Sequence, residues 1–135
     1  MAPAMLTPEQ VDALRFAPLH PSPEVTASKL LQLRVLATDL NPKIRESVAS
    51  SYNTPADVFE QLARDPDAGV RACVAKNESA PCDALRSLVD DESERVRGFL
   101  ALNFFAPQDA MEQLADDPSP LVRDLVHWKS ELASA

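Results

Sequence analysis

Glycine is nearly missing from this 135-residue chain: Gly69 and Gly98 stand against twelve prolines. That scarcity excludes a collagen-like repeat and a glycine-rich phosphate loop. Cys73 and Cys82 are too few for a disulfide scaffold or a four-ligand metal site. Histidine is confined to His20 and His127, which no ligand spacing connects. No metal or other cofactor is expected. The chain has no run of about 18 apolar residues to span a membrane, and Met1 to Pro8 shows neither the basic nor the apolar region of a secretory signal. A cytoplasmic protein that does not enter a membrane is expected. Basic residues are also short: 13 Lys+Arg against 21 Asp+Glu leave a net charge of -8. This argues against phosphate-backbone binding as the main activity and favours a basic or neutral partner.

What remains is ordinary in bulk, with 45% apolar and 25% charged residues, and sufficient for one domain with a sizeable core. Its order is not ordinary. Leu36-Ala37-Thr38-Asp39, Leu62-Ala63-Arg64-Asp65, Leu88-Val89-Asp90-Asp91 and Leu114-Ala115-Asp116-Asp117 follow one another at intervals of 26 residues. Each leucine is followed eight places later by a β-branched residue and arginine: Ile44-Arg45, Val70-Arg71, Val96-Arg97 and Val122-Arg123. Val48, Val74, Leu100 and Val126 share a further column, as do Pro55, Pro81 and Pro107. Residues 36–135 therefore read as three full repeats and a truncated fourth that caps the C-terminal end.

Each copy contains signals for two short helices. Asn41, Asp67, Ser93 and Ser119 can cap the first helix, with Pro42 and Pro120 at its first position. Asn77 and Asn103 suit a left-handed residue closing it. The second helix is expected to start at Pro55, Pro81 or Pro107, with Thr54 as a cap in the first copy. Asp57, Asp83 and Asp109 would sit near its positive end. Its buried side should carry Val58, Phe59 and Leu62, then Ala84, Leu85 and Leu88, then Ala110, Met111 and Leu114. Helices of about nine residues are unstable alone, so each copy must stack on its neighbours. The expected fold is all-α: a right-handed α-solenoid of stacked two-helix repeats of 26 residues, a single domain overall.

Residues 1–35 fit this pattern poorly and read as a degenerate N-terminal capping repeat. A helix is expected to begin near Thr7-Pro8, an extended stretch to cover Ala17 to Pro23, and a second helix to run from Glu24 to Val35.

The string from Leu62-Ala63-Arg64-Asp65-Pro66 through Val70-Arg71 and Val74-Ala75-Lys76-Asn77 to Pro81 resembles a unit of the leucine-rich repeat variant family. The resemblance covers about three quarters of the chain. The related HEAT repeats share an aspartate six places before an arginine, here Asp39 and Arg45, Asp65 and Arg71, Asp91 and Arg97, Asp117 and Arg123. Both families imply curved α-solenoids used mainly as interaction surfaces. Some variant-repeat proteins carry an N-terminal cysteine cluster for an iron–sulfur centre. This chain has no cysteine before Cys73, so that cofactor is not expected.

The Asp–Arg columns could form an anion-binding row, but a carboxylate accompanies every arginine, which favours a structural ladder between repeats. Asp65-Pro66-Asp67-Ala68-Gly69 has calcium-loop spacing, yet the following residues read as helix and a repeat junction is preferred. Cys73 reads as a core residue, and Cys82, on the first turn of a helix, has no paired base. Nothing reads as an active site.

Two surfaces depart from the repeat. Leu102, Phe104 and Phe105 follow the first helix of copy three, and Trp128 shares a column with Leu102. They should cluster near the C-terminal end, either beneath a closing helix over about residues 121–132 or as an exposed patch for a partner or a second copy of the chain. Asp90, Asp91, Glu92, Glu94, Asp116 and Asp117 should align as an acidic ridge suited to a basic partner. The expected function is that of a non-enzymatic scaffold for protein–protein interaction, with a nucleic-acid-binding solenoid as the alternative.

Overall fold

The computed structural model describes residues 7–8 and 26–134. Pro8 is helical; most of the expected N-terminal cap, including His20 and the Ala17 to Pro23 stretch, lies outside the described residues. The described chain is all-helical, with no strand. Its helices are α1 (Ala27–Leu36), α2 (Pro42–Ala49), α3 (Ala56–Leu62), α4 (Ala68–Lys76), α5 (Cys82–Arg86), α6 (Glu94–Leu102), α7 (Gln108–Leu114) and α8 (Pro120–Ser134). The described residues include no helix long and apolar enough to cross a membrane.

Even-numbered helices pack in succession, α2 on α4, α4 on α6 and α6 on α8, while α3 lies against α5. The core fills the space between the two sets. Val48, Phe59, Leu62, Val70, Val74, Leu85, Leu88, Val96, Leu100, Leu114 and Val122 are fully buried. Each such side chain contributes roughly 1.5–3 kcal/mol by leaving water. Met111 and Val126 are only half-buried, because they line an open groove between α7 and α8.

Helix starts follow the expected chemistry in one row and differ in the other. Asn41, Asp67, Ser93 and Ser119 accept backbone N–H bonds at the head of α2, α4, α6 and α8. Pro55, Pro81 and Pro107 are themselves the capping residues of α3, α5 and α7, with extended ψ of 152°, 152° and 147°. They make no side-chain cap bond, because the pyrrolidine ring carries no acceptor. Thr54 is not a cap. Its hydroxyl donates to the buried Val48 carbonyl at 2.6 Å.

The expected left-handed asparagines are also corrected. Asn77 and Asn103 end α4 and α6 in extended conformation, with φ of -79° and -75°. No described residue has positive φ. The side chains explain why: they reach backward across the stack. Asn77 Nδ2 donates to the carbonyls of Ala49 and Ser51 at 2.8 and 3.0 Å, and Asn103 Nδ2 to those of Ala75 and Asn77 at 2.8 and 3.1 Å. Each Oδ1 then accepts the N–H two residues on, from Ser79 and Phe105, at 2.8 Å. One side chain therefore holds the turn after its own helix and supplies donors to the end of the even-numbered helix before it.

On the opposite edge runs the arginine ladder, with a partner assignment that differs from the expected spacing. Arg71 Nη1 donates to the backbone carbonyl of Asp65, six residues earlier, at 2.7 Å. Its Nε and Nη2 instead meet the carboxylate of Asp91, twenty residues later, at 2.8 and 3.3 Å. Arg45 bridges Asp39 O and the Asp65 carboxylate in the same way, and Arg97 bridges Asp91 O and Asp117. Arg123 makes the carbonyl contact, to Asp117 O at 2.6 Å. The Asp91 hydrogen bond raises the Arg71 pKa, against the opposing effect of burial.

A looser set of ion pairs joins the odd-numbered helices: Arg34 with Asp57, and Arg86 with Asp83 and Asp109. The arginines hold the Asp57 and Asp109 carboxyls below their ordinary range. These groups are exposed, so the pairs contribute little beside the inner ladder.

Four substitutions test this packing. Asn103→Ala leaves the buried Ala75 carbonyl and the Phe105 N–H without these partners, while the Asn77 carbonyl keeps the Ala80 N–H, and is expected to lower unfolding free energy by about 2–4 kcal/mol in chemical denaturation. Arg71→Ala strands the Asp91 carboxylate, only 7% exposed, and is expected to destabilise by about 3 kcal/mol, with a lower Tm. Gly98→Ala should do the reverse. A Cβ there meets Leu125 at an ordinary 3.5 Å, and helix propensity adds about 0.5–1 kcal/mol. At Gly69 a Cβ would come within 2.4 Å of the Glu46 carboxylate and 2.8 Å of the Asp67 capping oxygen, so Gly69→Ala is expected to lose that gain in the same melts.

Candidate interaction surface

The outward face of the even-numbered helices changes character along the stack. At equivalent positions α2 presents Lys43, Ser47 and Ser50; α4 presents Gly69, Cys73 and Lys76; α6 presents Arg95, Phe99 and Leu102; α8 presents Leu121, Leu125 and Trp128. Polar residues give way to apolar ones toward α8. Phe99 is half-buried between two cations, with Lys76 Nζ 4.8 Å and the Arg95 guanidinium 5.5 Å from its ring centre. Beyond it the apolar groups are open to water: Leu102 is 36% exposed, Leu121 54%, Trp128 50% and Leu132 47%.

Phe104 and Phe105 extend this region, at 65% and 62% exposure. Their position follows from the Asn103 stitch. Its Oδ1 takes the Phe105 N–H and bends the chain outward, as Asn77 does ahead of Glu78 and Ser79. The turn that is polar after Asn77 displays two phenyl rings after Asn103. The closing-helix expectation is corrected here. Helix α8 packs on α6 and α7, but its buried side is aimed at the core through Val122, and the aromatic side chains remain uncovered.

Lys129 joins the turn to α8. It lies 26 residues after Asn103, in the asparagine column, and its ammonium donates to the Asn103 carbonyl as Asn103 does to Asn77. The same Nζ lies 5.8 Å from the Phe104 ring centre. Burial pushes its pKa down. The identity of Lys129 as a long-armed replacement for asparagine was readable from the 26-residue register.

The acidic ridge divides into two groups. Asp90, Glu92, Glu94 and Asp116 are exposed. Asp91 and Asp117 are not surface acids: their carboxylates are 7% and 3% exposed and occupied by Arg71 and Arg97. Both also bind the N–H two residues on, at 2.9 Å, which draws them into the turn. The calcium-like carboxylates are similarly engaged, Asp65 by Arg45 and Asp67 by the α4 cap.

Two concavities flank the stack. One, about 320 Å³, is lined by Ser50, Tyr52, Cys73, Lys76, Asn77 and Glu78. The other, about 590 Å³, is the groove between α7 and α8, with Met111, Glu112, Arg123 and Val126 in its wall. Cys82 is exposed on α5, and His127 pairs with Glu131 at 3.1 Å on α8. Comparison with protein-family models, curated proteins and solved structures finds no match for this chain.

Proposed function

We propose that the chain is a non-enzymatic interaction scaffold: a right-handed α-solenoid of stacked 26-residue, two-helix repeats, similar to the leucine-rich repeat variant and HEAT families. Its C-terminal apolar end would receive a protein partner in the cytoplasm. The observation carrying this reading is the exposure of Phe104, Phe105 and Trp128 on a framework stitched along both edges. Large apolar groups held open on rigid elements favour association, because little side-chain freedom is lost on binding. Nucleic acid is the weaker alternative. The chain is acidic, and Arg45, Arg71 and Arg97 already hold carboxylates.

The combined substitution Phe104→Ser, Phe105→Ser and Trp128→Ser tests the reading. Unfolding free energy is expected to change by no more than about 1.5 kcal/mol, as for exposed sites, while capture of protein partners from the native host is lost. A loss above about 3 kcal/mol would instead make these residues part of the packing.

A further inference from the structure

On α8 the residues Leu121, Leu125, Trp128 and Leu132 fall at i, i+4, i+7 and i+11. At roughly 100° per residue they occupy a strip about 60° wide. Three of the four are about half exposed, while Leu125 packs partly on the core. The strip has unlike borders. On the edge beside the core stands Lys129, whose ammonium is turned inward to the Asn103 carbonyl. On the opposite edge stand Asp124 and Glu131, both exposed. Asp124 makes no hydrogen bond or ion pair with the described residues, and Glu131 pairs only with exposed His127. On α8 itself the free charge beside this strip, that of Asp124, is therefore negative, while the nearby cation of α6, Arg95, lies over Phe99.

That polarity selects the occupant. A second copy paired antiparallel through α8 about a two-fold axis would set the acidic border against itself and repel; a parallel pair would set it against the edge of Lys129, whose ammonium is already held by the Asn103 carbonyl. An anionic lipid surface would be repelled by the same border. A basic amphipathic helix satisfies both features at once: its apolar face covers the strip and its Lys or Arg residues reach Asp124 and Glu131.

We infer that the α8 strip Leu121–Leu125–Trp128–Leu132, bordered by Asp124 and Glu131, is a docking site for a basic amphipathic helical segment of a partner protein. This rests on the scaffold reading above and names the partner's chemistry.

Trp128 is the chain's single tryptophan and reports directly on the site. The full chain is titrated with a synthetic leucine–lysine amphipathic peptide of roughly 18 residues, about five helical turns. Parallel titrations use a leucine–glutamate peptide of the same pattern, a serine–lysine peptide and anionic phospholipid vesicles. The leucine–lysine peptide is expected to shift Trp128 emission to shorter wavelength saturably, with affinity at least about tenfold above the other peptides. The pair Leu121→Ser and Leu132→Ser is expected to weaken it about tenfold or more. Asp124→Asn with Glu131→Gln should weaken it several-fold and flatten its salt dependence. Glu60→Gln with Asp83→Asn, exposed carboxylates on α3 and α5 away from the strip, should leave it within about twofold.

Equal affinity for the leucine–glutamate peptide would overturn the basic partner while leaving the scaffold reading in place. No shift with any peptide would overturn both. A shift on vesicles would assign the strip to lipid, and a concentration-dependent dimer in sedimentation equilibrium would assign it to a second copy; either result overturns the proposal.

Discussion

The aspartate of each Leu-x-x-Asp turn is the node on which the architecture depends. Asp65 shows the full set. Its Oδ1 takes the Asp67 N–H, its carboxylate takes the Arg45 fork, and its own carbonyl receives Arg71. One residue thus shapes a turn, holds the preceding helix pair and anchors the helix that follows. The carboxylate is 7% exposed, so its charge is tolerable only because the guanidinium and the N–H donors meet it together. Asp91 and Asp117 occupy the same node, which is why they are unavailable to any partner. Arg45, Arg71 and Arg97 are engaged within the fold for the same reason.

The asparagine seam does the same work at the other ends of the helices with neutral groups. Helices of five to nine residues have a large share of their backbone polar groups at unpaired ends, and cannot stand alone. The structure answers with side chains that cross the interface: arginines meet carbonyls and carboxylates on one edge, asparagines meet carbonyls on the other. Hydrophobic burial between the helices supplies most of the favourable free energy, but it has no direction. The two polar seams fix which helix meets which, and in what register.

How much of this the sequence discloses depends on the range of each interaction. Caps act within three residues, and Asn41, Asp67, Ser93 and Ser119 were legible from local chemistry. The buried columns were legible from periodicity, with Met111 and Val126 departing because a groove opens beside them. The partners of the ladder were not legible: a six-residue spacing suggests a pair within one copy, and only three dimensions bring Asp91 to Arg71. Asn77 and Asn103 misled for a related reason. An asparagine after a helix has a local use, the left-handed cap, and the long-range use that prevails here leaves no local mark. At the candidate surface, Trp128 and the phenylalanines stood out by breaking the repeat. Asp124 and Glu131 did not, because their meaning comes from the edge of α8 they occupy.

One set of positions spaced by 26 residues links the packing to the exposed face. Glu46, Ala72, Gly98 and Asp124 are equivalent positions. Ala72 and Gly98 are small and buried, and even a Cβ at Gly98 would meet Leu125 of α8 only at ordinary contact distance. Glu46 reaches toward α4 where Gly69 leaves room for its carboxylate, and Lys43 meets the charge at 3.4 Å. At Asp124 neither solution is present. A further helix laid against that position would have to bury a carboxylate for which the described residues provide no donor, at a cost of several kcal/mol. The charge that bars this edge of α8 to close helix packing is the same charge that borders the Leu121–Leu132 strip. A partner carrying its own cation can approach where an uncharged neighbouring helix cannot.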